Sequence, residues 1–320
     1  TGVESDTRSF QFRVKPRVTE TTWFWLVTVF TALLAIFLSM RMRENKLLRA
    51  KKMLEEKVME RTAEIAAQKQ EITSSIEYAS RIQMAMLPEN DLFRETFPDH
   101  FIFFRPRDIV SGDFYWIARG GTRVFLTAAD CTGHGVPGAF MSMLGISSLN
   151  EIITGDNHLS ASEVLDRLRE RIKSSLKQTG RQGETADGID MSLVIYDKVS
   201  RTIEFAAAFN SLVHFRASRI TEYRGDRMPI GIFYGEEKRF TNNIIPVQEG
   251  DAIYLFTDGY TDQFGGPDHT KYKIKNLKLF LSSVKDLPMA EQKSILDDEF
   301  NRWRGECDQV DDVTVIGLRF

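Results

Sequence analysis

The sequence predicts an α+β protein with antiparallel sheets, preceded by a transmembrane helix and a coiled-coil helix, and three observations support this. An uncharged apolar run of about twenty residues, roughly the span of a bilayer, lies near the N-terminus. A stretch without Pro or Gly follows it, with apolar residues at heptad spacing. Beyond that, short strand patterns greatly outnumber amphipathic helices and follow one another through short turns such as DKVSR at 197–201. Alternating βαβ units would look different.

Composition narrows the class. The chain has 320 residues, enough for a sizeable core plus accessory segments, and its 42% hydrophobic and 27% charged content suits a folded globular protein. A net charge of -3 argues against binding nucleic acid by bulk electrostatics, so no nucleic-acid partner is expected. Cys131 and Cys307 are far apart, which excludes a disulfide framework and a Cys-cluster zinc module and makes a reducing compartment the simplest reading. The chain starts at Thr1 rather than Met, which suggests a piece of a larger protein.

The apolar run is TTWFWLVTVFTALLAIFLSM, from Thr21 to Met40, and the predicted transmembrane segment is 21–41. Trp23 and Trp25 stand at its start, where interfacial aromatics prefer to sit. The Arg- and Lys-rich RMRENKLLRAKK at 41–52 marks the following end as cytoplasmic. A buried helix of a soluble protein is the competing reading; a signal peptide does not fit, because the run is too long and lies too far from a polar n-region. The expected location is therefore single-pass in the inner (cytoplasmic) membrane, with the C-terminal region cytoplasmic. Residues 1–20 would lie outside, and SFQFRV alternates like a strand, as the end of an extracytoplasmic sensor would.

Residues 42–87 read as a coiled-coil linker. Val58, Ile65, Ile72, Ala79 and Met86 recur every seven residues, whereas the companion seam of Leu47, Leu54 and Ile82 is interrupted by Arg61, Gln68 and Ser75. One good seam and one poor one leave room for a register change. A plain spacer helix is the bland alternative; behind a membrane span, a parallel homodimer is the expected state. Pro88 closes the helix, and 88–320 forms the main domain.

Within it, strands are expected at 101–105, 113–118, 123–129, 191–197, 202–208, 212–216, 239–247, 252–257 and 313–320, and helices at 136–152, 160–178, 275–284 and 289–303. Acids fall at strand ends. Asp113 starts one strand, Asp130 and Asp258 end two others, and Asp311 and Asp312 stand at the mouth of the last. Any one of them is more often a turn residue than a ligand. Four strand ends together point to a cation, since converging carboxylates repel without one, and hard oxygen donors favour Mg²⁺ or Mn²⁺. The segment LTAADCTGHGVPGAF also offers a Cys131–His134 pair at zinc-like spacing and a glycine-rich loop, so a zinc or direct phosphate site stays open.

Six motifs in order, RPRDIVSGDFYW, AADCTGHGVPGAFMSMLG, DGIDMSLVIYD, RMPIGIF, YLFTDGYTDQFGG and VDDVTVIGLRF, carry a resemblance. Together they resemble the SpoIIE/RsbU-type branch of the metal-dependent PPM (type 2C) serine/threonine phosphatases over roughly residues 92–320, with SIEYASRIQMAMLP typical of the linker entering that domain. MLEEKVMERTAEI is similar to connectors behind periplasmic propeller sensors.

The resemblance implies two antiparallel β-sheets sandwiched between helices, with two Mn²⁺ or Mg²⁺ ions at one end. It implies that Asp130 bridges both ions, the Cys131 carbonyl ligates one, and Asp258 and Asp311 hold the other. Asp113 would act at the same centre directly or through water, which makes Asp130 and Asp113 the expected catalytic residues. Asp312 receives no role.

Arg105, Arg107 and His134 are candidate phosphate or substrate contacts. Solvated surface is as good a reading for the arginines, and a structural turn for His134, beside which Gly133 and Gly135 let the chain turn tightly. Cys131 as a phosphocysteine nucleophile lacks the arginine-bearing loop that such enzymes use. AAAFNSL departs from the AGANNPL of relatives at Phe209 and Ser211.

The implied substrate is a phosphorylated STAS-type anti-sigma-factor antagonist. A catalytically weak partner-binding module on a membrane receptor is the alternative. A second-messenger synthase is disfavoured by the lack of a GGDEF-like motif and by the DDVT ending.

Overall fold

The structure, a computed structural model, describes residue 2 and residues 9–88, 90–181, 186–217 and 219–320. The chain forms two compact units, Thr1–Ile72 and Thr73–Phe320.

In the first unit a single 3-10 turn, Val18–Glu20, precedes α1 (Thr22–Met86). Hydroxyls of Thr28 and Thr31 donate back to the Phe24 and Val27 carbonyls, so these polar side chains are satisfied within the apolar run itself. By length and composition α1 can cross a membrane. The expected strand at SFQFRV is not formed: residues 9–14 carry no regular structure. Alternation alone makes no strand without a second strand to complete its ladder. Val58, Ile65 and Ile72 are exposed on the single chain.

In the second unit α2 (Asn90–Thr96) leads into β1 (His100–Arg105), β2 (Phe114–Gly120) and β3 (Arg123–Cys131). Helices α3 (Gly135–Gly155) and α4 (Ala161–Ser175) separate these from β4 (Gly188–Asp197), β5 (Thr202–Ala208), β6 (Ser211–Arg216) and β7 (Arg219–Arg224). Then come β8 (Ile230–Gly231), β9 (Asn243–Pro246), β10 (Ala252–Phe256), the one-turn α5 (Gly259–Asp262) and a small hairpin of β11 (Phe264–Gly265) and β12 (Thr270–Lys271). The unit closes with α6 (Lys273–Val284), α7 (Met289–Arg304) and β13 (Val313–Arg319).

Two antiparallel sheets result, one in the order β1-β13-β10-β6-β7 and the other β2-β3-β4-β5-β9, with β8 added to β4. Strand alternation sorts the side chains into layers. On β3, Val124, Leu126 and Ala128 face the other sheet and meet Leu255 and Ile316, while Phe125 and Ala129 face α3 and α4. The opposite sheet sends Tyr254, Val313 and Val315 outward to Leu277, Leu296 and Phe300 of α6 and α7. The order is helices, sheet, sheet, helices, with three apolar layers between. This is the predicted sandwich.

Element limits differ modestly from expectation. The strand expected over 239–247 shrinks to β9, and the helix expected over 160–178 stops at Ser175, with Lys177 in the left-handed region at φ 53. Its start is fixed by a capping box between Ser160 and Glu163. Strand β7 was not anticipated because RITEYR is an edge strand without a buried residue, so its alternation is weak.

Candidate active site

The end of the inter-sheet space is where the acids meet. Asp130 continues the Val124–Leu126–Ala128 face of β3, and its cross-strand partner is Asp190 of β4. Asp113 immediately precedes β2, Asp258 follows β10 by one residue, and Asp311 and Asp312 precede β13. Both sheets therefore deliver carboxylates to one end. A cleft of about 150 Å³ opens there, lined by Asp130, Cys131, Gly133, His134, Asp190 and Asp311.

Asp113 is buried. One of its oxygens, Oδ2, accepts hydroxyl hydrogen bonds from Thr257 at 2.6 Å and Thr314 at 2.7 Å, both from the opposite sheet. The other, Oδ1, has no hydrogen-bond partner. Burial pushes the Asp113 carboxyl well up, against the pull of the two threonines, and Asp312 and Asp311 push it further. Burial and then Asp113, Asp258, Asp311 and Asp190 push Asp130 up to about 10. Asp190 is pushed up to about 7 by burial and Asp258, and burial is also the leading cause of the rise at Asp258 and Asp311. Five carboxyls, each lifted in part by a neighbouring carboxylate, form a mutually repelling set.

Asp312 has a clear structural role. Its Oδ1 accepts the Arg107 amide and its Oδ2 the Gly112 amide, each at 2.7 Å, so it fastens both ends of the loop that delivers Asp113. The loop is packed too tightly for side chains: a Cβ on Gly112 would stand 2.6 Å from the Gly133 carbonyl oxygen. A further clasp comes from α1, where buried Gln83 donates to the Ser111 carbonyl at 2.6 Å and accepts the Ser111 amide at 3.1 Å. The Gln83 side-chain NH2 also donates to the Ser142 hydroxyl of α3 at 2.7 Å.

The remaining predicted residues separate. The Cys131 thiol packs among core residues, and burial, then Asp130, pushes it well up, so it is no thiolate nucleophile. His134 precedes α3 and lines the cleft with Nδ1 3.0 Å from Asp108 Oδ2. Arg107 is tied to the Val310 carbonyl at 2.9 Å, and its charge, like that of His134, is felt by Asp311. Arg105 is not brought to the cleft. It turns to α7, bonding Asp297 at 3.2 Å and Asn301 at 2.8 Å with its guanidinium over Phe300.

Asp190, Thr257, Thr314 and Gln83 were missed from the sequence. Asp190 sits in GIDMSLVIYD, and only the pairing register reveals that it faces Asp130.

The family profile of Stage II sporulation protein E (SpoIIE) matches residues 120–320. The chain belongs to the SpoIIE family. A search of the curated proteins found no match. Among solved structures, the SiaA-PP2C domain of Pseudomonas aeruginosa is 31% identical over 80% of this chain and 99% of its own, with a TM-score of 0.73. The PP2C phosphatase domain of SpoIIE from Bacillus subtilis, solved with a fragment of its regulatory domain, is 19% identical over 69% of this chain and 63% of its own, with a TM-score of 0.57. The RsbU and RsbW domains of a Mycobacterium tuberculosis protein are 21% identical over 69% and 59%, with a TM-score of 0.54. These last two share the fold. The second unit of this SpoIIE-family chain is a PPM-type phosphatase domain of the SpoIIE/RsbU kind, and the chain is a protein phosphatase.

PPM phosphatases are generally dependent on Mn²⁺ or Mg²⁺, and the SpoIIE-family cleft fits such ions. Its donors are hard carboxylate oxygens, and one buried carboxylate oxygen of Asp113 is orphaned. Among the described residues, no three acidic, histidine or cysteine side chains close on one point. Asp130, Asp190 and Asp311 line the cleft.

Proposed function

We propose that this chain is a membrane-tethered serine/threonine phosphatase that uses two Mn²⁺ or Mg²⁺ ions held by Asp113, Asp130, Asp258, Asp311 and the Cys131 carbonyl, with Asp190 as an added carboxylate. The observation that supports it is the convergence of carboxylates from both sheets at one end of the sandwich, with Asp113 Oδ1 unpartnered. Bound there, the ions supply Lewis acidity to phosphoryl transfer.

The chain's own residues do the positioning. Thr257 and Thr314 fix one oxygen of Asp113 and leave the other unpartnered. Asp312 and Gln83 hold the loop that carries it. Arg107 brings positive charge near Asp311, and His134 brings an imidazole to the rim, where a phosphate group would enter. No covalent intermediate on Cys131 is needed, and its buried thiol suits none.

The substrate in this proposal is a phosphorylated STAS-type anti-sigma-factor antagonist. What supports it is the family and the likeness to an RsbU domain fused to an RsbW domain. Residues 21–41 form the single span in the inner membrane, residues 1–20 end an extracytoplasmic sensor, and the second unit is cytoplasmic. The exposed heptad residues Val58, Ile65 and Ile72 suit a parallel homodimer through 42–87.

The test is hydrolysis of p-nitrophenyl phosphate by the full chain in detergent micelles, with and without Mn²⁺, beside Asp130→Asn and Asp258→Asn. Metal-dependent turnover lost by about a hundredfold or more in both variants is expected. Absence of metal-dependent turnover in the parent sinks the enzyme reading, and parent-like rates in Asp130→Asn sink the site assignment. Release of phosphate from a phosphorylated STAS protein, but not from an unrelated phosphoprotein, tests the substrate.

A further inference from the structure

The first sheet ends in β1, which pairs with β13 along one edge only. Unpaired strand edges offer a row of amides and carbonyls to any extended chain. In this molecule that edge opens on a groove. One cavity of about 560 Å³ is lined by Arg94, His100, Ile102 and Lys293, and a second of about 490 Å³ by Ile102, Phe104, Arg105 and Lys293. Ile102 and Lys293 are common to both, so the two run together along the whole of β1. Six strand residues span about 20 Å, room for an extended peptide of similar length.

The charged side chains that line the groove are basic apart from Asp297, which pairs with Arg105. Arg94 comes from α2, His100 and Arg105 from β1, and Lys293 from α7. Nearby acids are already engaged: Glu95 with Arg119, Asp99 with Arg319, and Asp297 with Arg105. Among the described residues, neither Arg94 nor Lys293 has an acidic partner. Burial, with Arg94 and Lys293, lowers the pKa of His100, so the two cations share its electrostatic neighbourhood while the imidazole itself favours the neutral form. Half-buried Ile102 and Phe104 line the groove together with the buried Phe101 and Phe103 of β1.

We infer that the β1 edge is a docking site for an extended acidic peptide from a partner protein, added to the first sheet as a further antiparallel or parallel strand. Main-chain pairing gives the affinity in this mode of recognition, and alternate side chains give specificity. The acidic side chains meet Arg94, His100 and Lys293, and apolar ones settle on Ile102 and Phe104. The site is separate from the carboxylate cleft and does not depend on the phosphatase reading.

The test uses the full chain in detergent micelles and a fluorescent peptide of alternating glutamate and valine. Its controls are the same peptide with a central proline, which removes a ladder amide without changing charge, and an alternating lysine–valine peptide. The glutamate peptide should bind saturably, at least tenfold more tightly than either control, and should slow amide hydrogen exchange across residues 100–105. An R94E/K293E double variant should lose at least tenfold in affinity while keeping its melting temperature and its turnover of p-nitrophenyl phosphate. Equal binding of the proline peptide would reduce the site to bulk charge and overturn strand addition. Exchange protection of 100–105 that grows with protein concentration in the absence of peptide would assign the edge to a second copy of this chain, and overturns the proposal equally. No binding by the glutamate peptide overturns it outright.

Discussion

Thr257 donates its hydroxyl to Asp113 over 2.6 Å, and this bond ties the two sheets together at the catalytic end. Thr314 bonds the same oxygen from the neighbouring strand. A buried carboxylate with two donors on Oδ2 and none on Oδ1 is oriented, not merely accommodated. Replacing both threonines with valine keeps the shape and removes both donors. The T257V/T314V protein should lose about 1–3 kcal/mol of stability. It should also need several-fold more Mn²⁺ for half-maximal turnover of p-nitrophenyl phosphate, with a smaller change at saturating metal. A metal requirement equal to the parent's would show that these hydroxyls do not position Asp113.

Gln83 lies far from Ser111 in sequence, yet it holds that residue's amide and carbonyl together. Ser111 stands two residues before Asp113, so the clasp joins the last turns of α1 to the Asp113 loop. Gln83→Leu fills similar volume, strands the Ser111 amide in a buried site and leaves its carbonyl with only the Ser142 hydroxyl at 3.4 Å. A stability loss of about 2 kcal/mol is expected, from one stranded donor and one weakened acceptor. Turnover should fall more than thermal stability alone predicts, measured well below the melting temperature. A variant as stable and as active as the parent would remove Gln83 from the argument.

How far the sequence could be read follows from what carries each feature. The sandwich was legible because β3, β4, β10 and β13 are largely apolar runs, as strands are when both faces of their sheet are buried under another layer. The acids Asp113, Asp130, Asp258 and Asp311 were legible because each stands beside a strand end. Asp190 was not, since it lies within an apolar strand and acquires meaning only from its register opposite Asp130. Asp312 had no readable role because its partners, the amides of Arg107 and Gly112, are backbone atoms about two hundred residues away. Arg105 could not be told from Arg107 for the converse reason. Its proximity in sequence to Arg107 says nothing of α7, which captures it.

At the far end of the first sheet, buried Asp251 gathers Arg216 at 2.7 Å, the Gln248 amide at 2.9 Å and His214 at 3.1 Å. Burial pushes this carboxyl up, but those partners outweigh it and hold it below its ordinary value. A lowered carboxyl stabilises the fold above its unfolded pKa, near 4, and that contribution is lost as pH falls through the folded value. Asp251→Asn should therefore cost about 2 kcal/mol at pH 7, a figure moderated by the partial exposure of Arg216. The gap between variant and parent should narrow below about pH 4. Urea denaturation across pH checks this, and a gap that widens in acid would contradict it.

Phe209 is where this chain departs from AGANNPL, and the structure puts it in the left-handed region at φ 55. Its amide donates to the Asp226 carbonyl at 2.8 Å, and the side chain of the next residue, Asn210, donates to the Asp190 carbonyl at 3.2 Å. The turn is thus held in place beside the acidic cleft whatever residue occupies it. A bulky residue in this conformation costs about 1–2 kcal/mol, whereas asparagine adopts it readily. Phe209 is 44% exposed, so removing its ring sacrifices only part of the burial that a core phenylalanine would lose. Phe209→Asn should accordingly raise the stability of the domain by up to about 1 kcal/mol, seen as a melting temperature higher by a few degrees. Turnover of p-nitrophenyl phosphate should stay within about twofold of the parent, since no cleft carboxylate moves. A melting temperature below the parent's would mean that the ring makes contacts worth more than the strain, and the departure would then be a stabilising one.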